Sequence, residues 1–339
     1  PQRNGHDLLL GMVDIAVIKY FRSFSEVYSI EEEMGLKKLK KYILSLLILT
    51  TTISAAGQQD PIFSQYMFNT QAINPAYAGM WEKVGFLSLV RKQWAGIDRS
   101  PFTQMISFHS PMNNEYVGVG LNIINDKFGR EERFSVFGDY AYEVLINPKL
   151  RLRMGLKFGF MNYQNPLTKY QLYPDGQFDP AFQEDIDLKF LPNFGVGAFL
   201  YEENFYVSVS LPKLVKNDFQ ANRNNYGTLS EIRHLYLTGG YVFHLRNNVK
   251  FKPTAMLRAT LGAPVQADFS ANVLLREKLW LGAMFRTGDA LCVVAQWIFD
   301  NNIRIGYAMD LAFTEIYKYQ NGTYEFTLSY DIDFYGRSY

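Results

Sequence analysis

The stretch Thr323-Tyr324-Glu325-Phe326-Thr327-Leu328-Ser329-Tyr330-Asp331-Ile332-Asp333-Phe334 alternates between polar and apolar residues without interruption. Successive side chains of a β-strand point to opposite faces, so this stretch predicts a strand with one polar and one apolar face. Such strands are typical of membrane barrels, in which lipid-facing residues alternate with residues that face the interior. They also occur in soluble β-sandwiches, so other features must decide between the two.

The same alternation recurs along the chain. Most of the segments that show it are about twice as long as the ~5–6 residues of an average soluble strand, and they suit the ~9–11 residues of a tilted transmembrane strand. The sequence therefore predicts an all-β fold, a transmembrane antiparallel β-barrel of about 14 strands with an irregular, plug-like N-terminal segment. The candidate strands are 84–94, 102–110, 116–125, 133–146, 150–163, 192–201, 204–211, 232–245, 249–260, 264–275, 279–287, 290–299, 303–313 and 322–334.

A secretory signal precedes the barrel. Residues 34–57 combine four lysines, a short apolar run and the small residues Ser54-Ala55-Ala56-Gly57, which predicts a signal peptide cleaved near Gly57. We interpret residues 1–33 as an upstream segment outside the mature protein rather than as an amphipathic helix. Residues 58–82 then form a periplasmic or plug segment, and residues 83–339 form the barrel.

Charge and composition exclude some functions. The chain has 34 Lys and Arg residues against 33 Asp and Glu residues, and removal of residues 1–57 would leave equal numbers of the two. A neutral mature chain offers no basic field for a nucleic acid, so we expect no nucleic-acid partner. Aromatic residues make up 16% of the chain, which suits belts at the two membrane interfaces.

The connections between candidate strands alternate in length. Short polar turns separate the longer loops, which are 95–101, 126–132, 164–191, 212–231 and 314–321. Short turns on the periplasmic side and long loops outside are typical of outer-membrane barrels. The order of turns predicts that both termini are periplasmic, with the protein in a bacterial outer membrane and in contact with its lipid.

Residue patterns for catalysis are weak. His109, His234 and His244 lack the spacing of metal ligands, and no nucleophile motif accompanies them. The sequence therefore predicts no enzyme activity, no metal and no cofactor.

Charged residues lie on the polar parity of several candidate strands. Ionisable side chains in membrane proteins usually face inward and pair with each other, so mixed signs predict a filled interior. A narrow open channel remains the alternative. The candidate interior charges are Arg91, Arg153, Arg286, Arg304 and Asp310.

Two motifs near the predicted mature N-terminus, Asp60-Pro61-Ile62-Phe63-Ser64-Gln65-Tyr66-Met67-Phe68-Asn69 and Asn74-Pro75-Ala76-Tyr77-Ala78-Gly79, resemble the PorP/SprF family of Bacteroidetes outer-membrane proteins. The resemblance continues through Arg91-Lys92-Gln93-Trp94-Ala95-Gly96 and Arg304-Ile305-Gly306-Tyr307. It implies a component of the type IX secretion system that assists export or surface attachment of cargo, such as large adhesins, with C-terminal sorting domains. Some members act in gliding motility. Other secretion components are further implied partners.

The N-terminal motifs supply a candidate plug. An Asn-Pro-Ala sequence near the start of a barrel resembles the segment that enters the interior of fatty-acid-transporter-like barrels, and we expect residues 60–80 to fold into the periplasmic end. A loose periplasmic tail is the alternative. The candidate plug residues are Phe63, Ser64, Gln65, Asn69, Asn74, Pro75, Ala76 and Tyr77.

Long outer loops are the expected site of cargo recognition, because apolar side chains set among charges suit an interface core. Ordinary loop packing is the alternative interpretation of the same residues. A passive or ligand-selective channel for small solutes is the alternative function. The candidate cargo anchors are Phe178, Phe182, Leu214, Phe219 and Tyr226.

Overall fold

A computed structural model describes residues 61–80, 83–113, 116–173, 179, 182–220, 228–245, 248–261, 263–299 and 302–332; for 218–220 and 228–230 it describes the backbone alone. The predicted signal peptide and the upstream segment lie outside the described residues, as do Asp333 and Phe334. Within the described ranges, no helix has the length and apolar character needed to cross a bilayer.

The described chain is almost entirely β-strand, with a few short 3₁₀ turns. The strands are β1 (Val84–Lys92), β2 (Phe102–Pro111), β3 (Val117–Phe128), β4 (Glu131–Leu145), β5 (Arg151–Asn165), β6 (Ile186–Tyr201), β7 (Phe205–Leu211), β8 (Asp218–Gln220), β9 (Thr228–Ser230), β10 (His234–Tyr241), β11 (Phe243–His244), β12 (Val249–Thr260), β13 (Gln266–Leu275), β14 (Leu279–Arg286), β15 (Ala290–Phe299), β16 (Ile303–Ala312) and β17 (Thr323–Ile332).

The strands close into a 14-stranded antiparallel barrel, which confirms the predicted fold. Each barrel strand pairs with its neighbours in sequence, β1 pairs with β17, and the pairing of β10 with β12 completes the circle. The two-residue strand β11 continues β10 along the same neighbour, β12. Strands β8 and β9 form a separate small hairpin inside a loop.

Three sequence expectations about the connections are corrected. The predicted long loop 126–132 is a tight turn at Gly129, because β3 and β4 pair as far as Phe128 and Glu131. Strand β6 begins at Ile186 rather than at 192, so the loop before it is shorter than predicted. The loop 212–231 contains the β8–β9 hairpin, which the polarity pattern did not indicate.

The two ends of the barrel differ, and we name them by their connections. The long-loop end carries residues 93–101, 166–185, 212–233 and 313–322, together with three tighter turns. The short-turn end carries only connections of a few residues, such as 202–204 and 276–278, and the start of β1 and the end of β17 lie there.

The alternation that opened the sequence gives the barrel wall its two faces. On β17, Glu325, Thr327 and Ser329 are at most 3% exposed, whereas Phe326 is 56% and Leu328 48% exposed. Large apolar side chains cover the outside of the other strands in the same way, and most of the buried polar and charged side chains line the inside. This distribution is that of a transmembrane barrel, which presents apolar residues to lipid and polar residues to its interior.

Candidate functional site

Residues 61–80, the interior segment, run through the inside of the barrel. Pro61 lies near Asp126 and Pro212 at the long-loop end, whereas Gly79 lies beside Ser110 at the short-turn end. Two 3₁₀ turns, Thr70–Ala72 and Pro75–Tyr77, shorten its path. The segment therefore spans the interior from end to end and is not confined to the end predicted from the sequence.

Glu325 of β17 binds the part of the interior segment nearer the long-loop end, which we call its upper part. The backbone N–H groups of Ser64 and Gln65 each donate to a carboxylate oxygen of Glu325 at 2.9 Å. The Gln65 side chain accepts a hydrogen bond from Thr327 on the same strand at 3.0 Å. Ser64, Gln65 and Glu325 are fully buried, so all of these bonds form away from water, where each is stronger and its loss more costly.

Arg91 of β1 joins Glu325 to a second carboxylate. Its guanidinium lies 3.2 Å from Glu325 and 2.8 Å from Asp310 of β16, and it also donates to the Ser64 hydroxyl at 2.8 Å. The Ser64 hydroxyl in turn donates to Asp310 at 2.7 Å. We call Ser64, Arg91, Asp310 and Glu325 the upper clamp.

The upper clamp continues into a further charge pair. Arg286 of β14 lies 3.7 Å from Asp310 and 3.2 Å from Asp268 of β13, and the side chains of Arg286 and Asp268 are each 1% exposed. Buried charges require such partners, because removal of one leaves the other uncompensated in a poorly solvated interior. The network thus connects the interior segment to β1, β13, β14, β16 and β17.

The middle of the segment makes neutral and charge-assisted hydrogen bonds. The Tyr66 hydroxyl lies 3.1 Å from the Thr254 hydroxyl of β12. Gln71 donates to Asp139 of β4 at 3.0 Å, and the other oxygen of Asp139 pairs with Lys157 at 2.8 Å. Tyr66 and Gln71 thus both contact the inner face of the wall.

Asn74 caps the turn that follows it. Its backbone is extended (φ −137°, ψ 112°), the conformation that a following proline favours, and its side-chain oxygen accepts from the Ala76 N–H at 3.0 Å. Its side-chain N–H group donates to the Ala198 carbonyl of β6 at 3.2 Å. Asn74 thereby closes the turn and attaches it to the wall.

Arg153 of β5 fixes the lower part of the segment. It donates to the carbonyl oxygens of Ala76 at 3.1 Å and Ala78 at 2.6 Å. The Glu143 carboxylate lies 3.0 Å from the same guanidinium, and Tyr201 donates to that carboxylate at 2.8 Å. A paired and buried arginine thus satisfies two carbonyls that would otherwise lack partners.

Glycines on the inner wall let the segment approach the strands closely. A Cβ atom at Gly155 would lie 2.1 Å from the Ala76 backbone nitrogen, and one at Gly118 would lie 2.1 Å from the Ala78 carbonyl oxygen. Gly120, Gly197 and Gly306 similarly face side chains of the segment. A side chain at these positions would occupy the space that the segment fills, so the wall is shaped to this segment.

The remaining predicted plug residues also contact the wall. Phe63 packs with Leu89 and Met105, Asn69 donates to the Met105 sulfur at 3.4 Å, and the Tyr77 ring meets Phe199 edge-on with centroids 5.6 Å apart.

Arg304 pairs with Asp331 at 2.7 Å toward the short-turn end, away from the upper clamp. Sequence reasoning missed Glu325, whose place on the polar parity of β17 was its only signal.

The predicted cargo anchors are not gathered into one surface. Phe178 and Tyr226 lie outside the described residues, and Phe219 lies in β8, where only the backbone is described. Phe182 is half-buried with its ring 5.8 Å from that of Tyr170, and the Leu214 N–H donates to the Phe194 carbonyl at 2.7 Å. Phe182 and Leu214 therefore take part in loop packing.

Other apolar side chains are more exposed at the long-loop end. Tyr173 is 94% and Leu261 90% exposed, and Tyr319 is 75% exposed in another loop. Among the described side chains, no group of three or more His, Cys, Asp or Glu residues has the arrangement of a metal site.

Two solved structures show a distant similarity to this chain. The outer-membrane protein Omp33 of Acinetobacter baumannii is 10% identical, with a TM-score of 0.43, over 74% of this chain and 99% of that one. A FadL homologue of Pseudomonas aeruginosa is 11% identical, with a TM-score of 0.46, over 83% of this chain and 96% of that one. No curated protein matches the sequence.

A family match is more informative than these structures, because it rests on the sequence itself and covers most of the chain. Residues 55–330 match the family described as type IX secretion system membrane protein PorP/SprF. The matched region contains the whole interior segment, together with Arg91 and Arg153, which bind it. It also contains all but the last two described residues of the barrel wall. The chain therefore belongs to the PorP/SprF family of type IX secretion system membrane proteins.

Proposed function

We propose that this protein is a closed outer-membrane barrel that assists export or surface attachment of a secreted cargo protein by recognition, without catalysing a reaction. The observation that carries the proposal is the interior segment, which fills the barrel and is held at both ends by buried arginines. A filled interior suits a protein that binds a partner at its rim better than one that conducts solutes through its centre.

The long-loop end is the proposed outward face. It carries the exposed side chains of Tyr173 and Tyr319, whose rings offer large contact area at a modest cost in conformational entropy. In this orientation β17 ends on the periplasmic side, as expected from the sequence. In the same orientation Pro61, the first described residue, lies near the outward end, which is not the side predicted for the N-terminus.

Labelling of single cysteines tests the orientation. Cys292 is the only cysteine in the sequence and is 1% exposed, so we expect little background labelling of the wild-type protein. We expect a membrane-impermeant maleimide to label Tyr173→Cys on intact cells and to label Lys278→Cys only after the outer membrane is opened. The opposite pattern would invert the proposed orientation.

Exchange of outer loops tests recognition. Replacement of residues 166–185 and 212–233 by the corresponding loops of a paralogue is expected to change which exported protein reaches the cell surface. Replacement of the short turn 276–278 serves as the control and should leave cargo unchanged. Unaltered cargo after the loop exchange, with normal barrel levels, would remove these loops from the mechanism.

A solute channel is the competing function, and conductance separates the two. In planar bilayers we expect the wild-type protein to show no steady open pore. A stable ohmic conductance of the wild-type barrel would favour the channel instead.

A further inference from the structure

A cavity of about 140 Å³ lies at the short-turn end between the interior segment and the barrel wall. Met67 and Tyr77 of the segment form one side, and Phe199, Tyr206 and Lys252 of the wall form the other. Most of this lining is apolar or aromatic. A dry apolar cavity of about 150 Å³ accommodates a molecule the size of benzene, so this cavity has room for a small ring.

Lys252 brings an uncompensated positive charge to the cavity. Its ammonium nitrogen lies 5.5 Å from the centroid of the Tyr206 ring, a cation–π contact, and it has no ion pair with any described carboxylate. The interior cations Arg91, Arg153 and Lys157 each have a carboxylate within 3.2 Å. Cations within membrane-spanning segments are usually paired, and an unpaired one indicates a ligand or transport path.

Asn204 supplies a second unsatisfied group. Its side-chain oxygen is buried and accepts no hydrogen bond from the described residues, and it lines the same cavity. Glu202 and Glu203 also line the cavity, yet neither of these described residues pairs with Lys252. The cavity therefore offers a free cation, a free hydrogen-bond acceptor and aromatic walls.

We propose that this cavity binds a small aromatic carboxylate. The carboxylate would pair with the Lys252 ammonium group, the ring would contact Phe199 and Tyr206, and a hydroxyl on the ring would donate to the Asn204 oxygen. The ligand would satisfy both free groups at once, which lowers the cost of burying them. This site faces the end opposite the proposed cargo loops and is independent of cargo recognition.

Binding of 4-hydroxybenzoate to the purified full-length barrel in detergent tests the proposal. We expect saturable binding by calorimetry or saturation-transfer NMR, and at least tenfold weaker binding to the Lys252→Met variant, which keeps a long unbranched side chain and removes the charge. Lys250→Met is the matched control, because Lys250 lies on the same side of β12 but does not line the cavity.

Further ligands separate the two contacts. 4-Hydroxybenzyl alcohol, which lacks the carboxylate, should bind weakly to both wild type and Lys252→Met. The advantage of 4-hydroxybenzoate over benzoate should disappear in Asn204→Ala. The proposal is overturned if the wild type shows no saturable binding, or if the Lys252→Met and Lys250→Met variants lose binding equally. Heat-modifiable migration on gels verifies that each variant is folded.

Discussion

The Ser64 hydroxyl donates to the Asp310 carboxylate at 2.7 Å, which joins the interior segment to β16 across 246 positions of sequence. Arg91 lies between Asp310 and Glu325, so a single serine is in contact with three buried charged groups. This arrangement makes the segment part of the barrel's stability and not only an occupant of its interior.

The Glu325→Gln substitution should destabilise the barrel. Glutamine keeps the shape but removes the charge that pairs with Arg91 and accepts from the Ser64 and Gln65 amides. Loss of one partner of a buried ion pair costs about 3–5 kcal/mol. The temperature at which the folded band is lost on heat-modifiability gels should fall. Glu315→Gln, at a side chain that is 87% exposed, is the control and should behave like wild type. Equal melting of Glu325→Gln and wild type would show that the upper clamp contributes nothing.

The Gly155→Ala substitution should displace the lower part of the interior segment. The new Cβ atom would lie 2.1 Å from the Ala76 backbone nitrogen, so the segment or the strand must shift. We expect new protease cleavage within 61–80 and intermittent conductance in planar bilayers. Gly239→Ala is the matched control in the wall, because its nearest contact would be an ordinary 3.4 Å. Full protease protection of Gly155→Ala would contradict a close fit between segment and wall.

The Asn74→Asp substitution should be more damaging than Asn74→Ala. Aspartate retains the oxygen that accepts from the Ala76 N–H, but it places a carboxylate oxygen opposite the Ala198 carbonyl, where the amide N–H group now donates. Alanine loses the cap, at a cost of about 1 kcal/mol, without adding a buried charge. Thermal melting of both variants checks this order. If the Asn74→Asp variant melted at the same temperature as wild type, the hydrogen bond from Asn74 to the Ala198 carbonyl would not contribute to stability.

The Leu328→Arg substitution should impair membrane assembly. Leu328 is 48% exposed on the outer face of β17, and an arginine facing lipid near the bilayer centre costs about 2–4 kcal/mol. We expect less folded protein in the outer-membrane fraction. Tyr319→Arg, in a loop at the long-loop end, should have no such effect. Normal assembly of Leu328→Arg would mean that this face does not contact hydrocarbon.

Strand positions could be predicted because alternation is a local property that survives in the fold. The prediction of strand positions failed where the alternation of polar and apolar residues is interrupted. In β6, the residues from Ile186 to Phe190 alternate, but Leu191 and Pro192 interrupt the pattern, Phe190 has a positive φ of 55° and the pairing with β5 shifts between Met161 and Tyr163. Because of this interruption, the start of β6 was assigned to the preceding loop. The residues near Gly129 are polar and were assigned to a loop as well, although they pair through a tight turn.

The interior site was only partly predictable. The motifs around Ser64 and Asn74 marked the segment, because a proline and a capping asparagine have local consequences. Glu325 could not be distinguished from Thr327 or Ser329 by pattern, since its role depends on Arg91, which lies 234 positions away. The wall glycines were likewise not distinguishable by pattern: Gly118 and Gly120 face the interior segment, and nothing in their local sequence indicates it.

The register of β1 and β17 places Arg91 directly opposite Glu325, where the first and last strands of the chain meet. Glu325 is also the acceptor for the amides of Ser64 and Gln65, so these contacts cannot exist until the last strand has arrived. The carboxylate of Glu325 therefore stabilises both the pairing of β1 with β17 that closes the barrel and the attachment of the interior segment. A chain in which β17 has not yet paired would therefore leave Ser64 and Gln65 unfastened, although Arg153 of β5 could already hold Ala76 and Ala78.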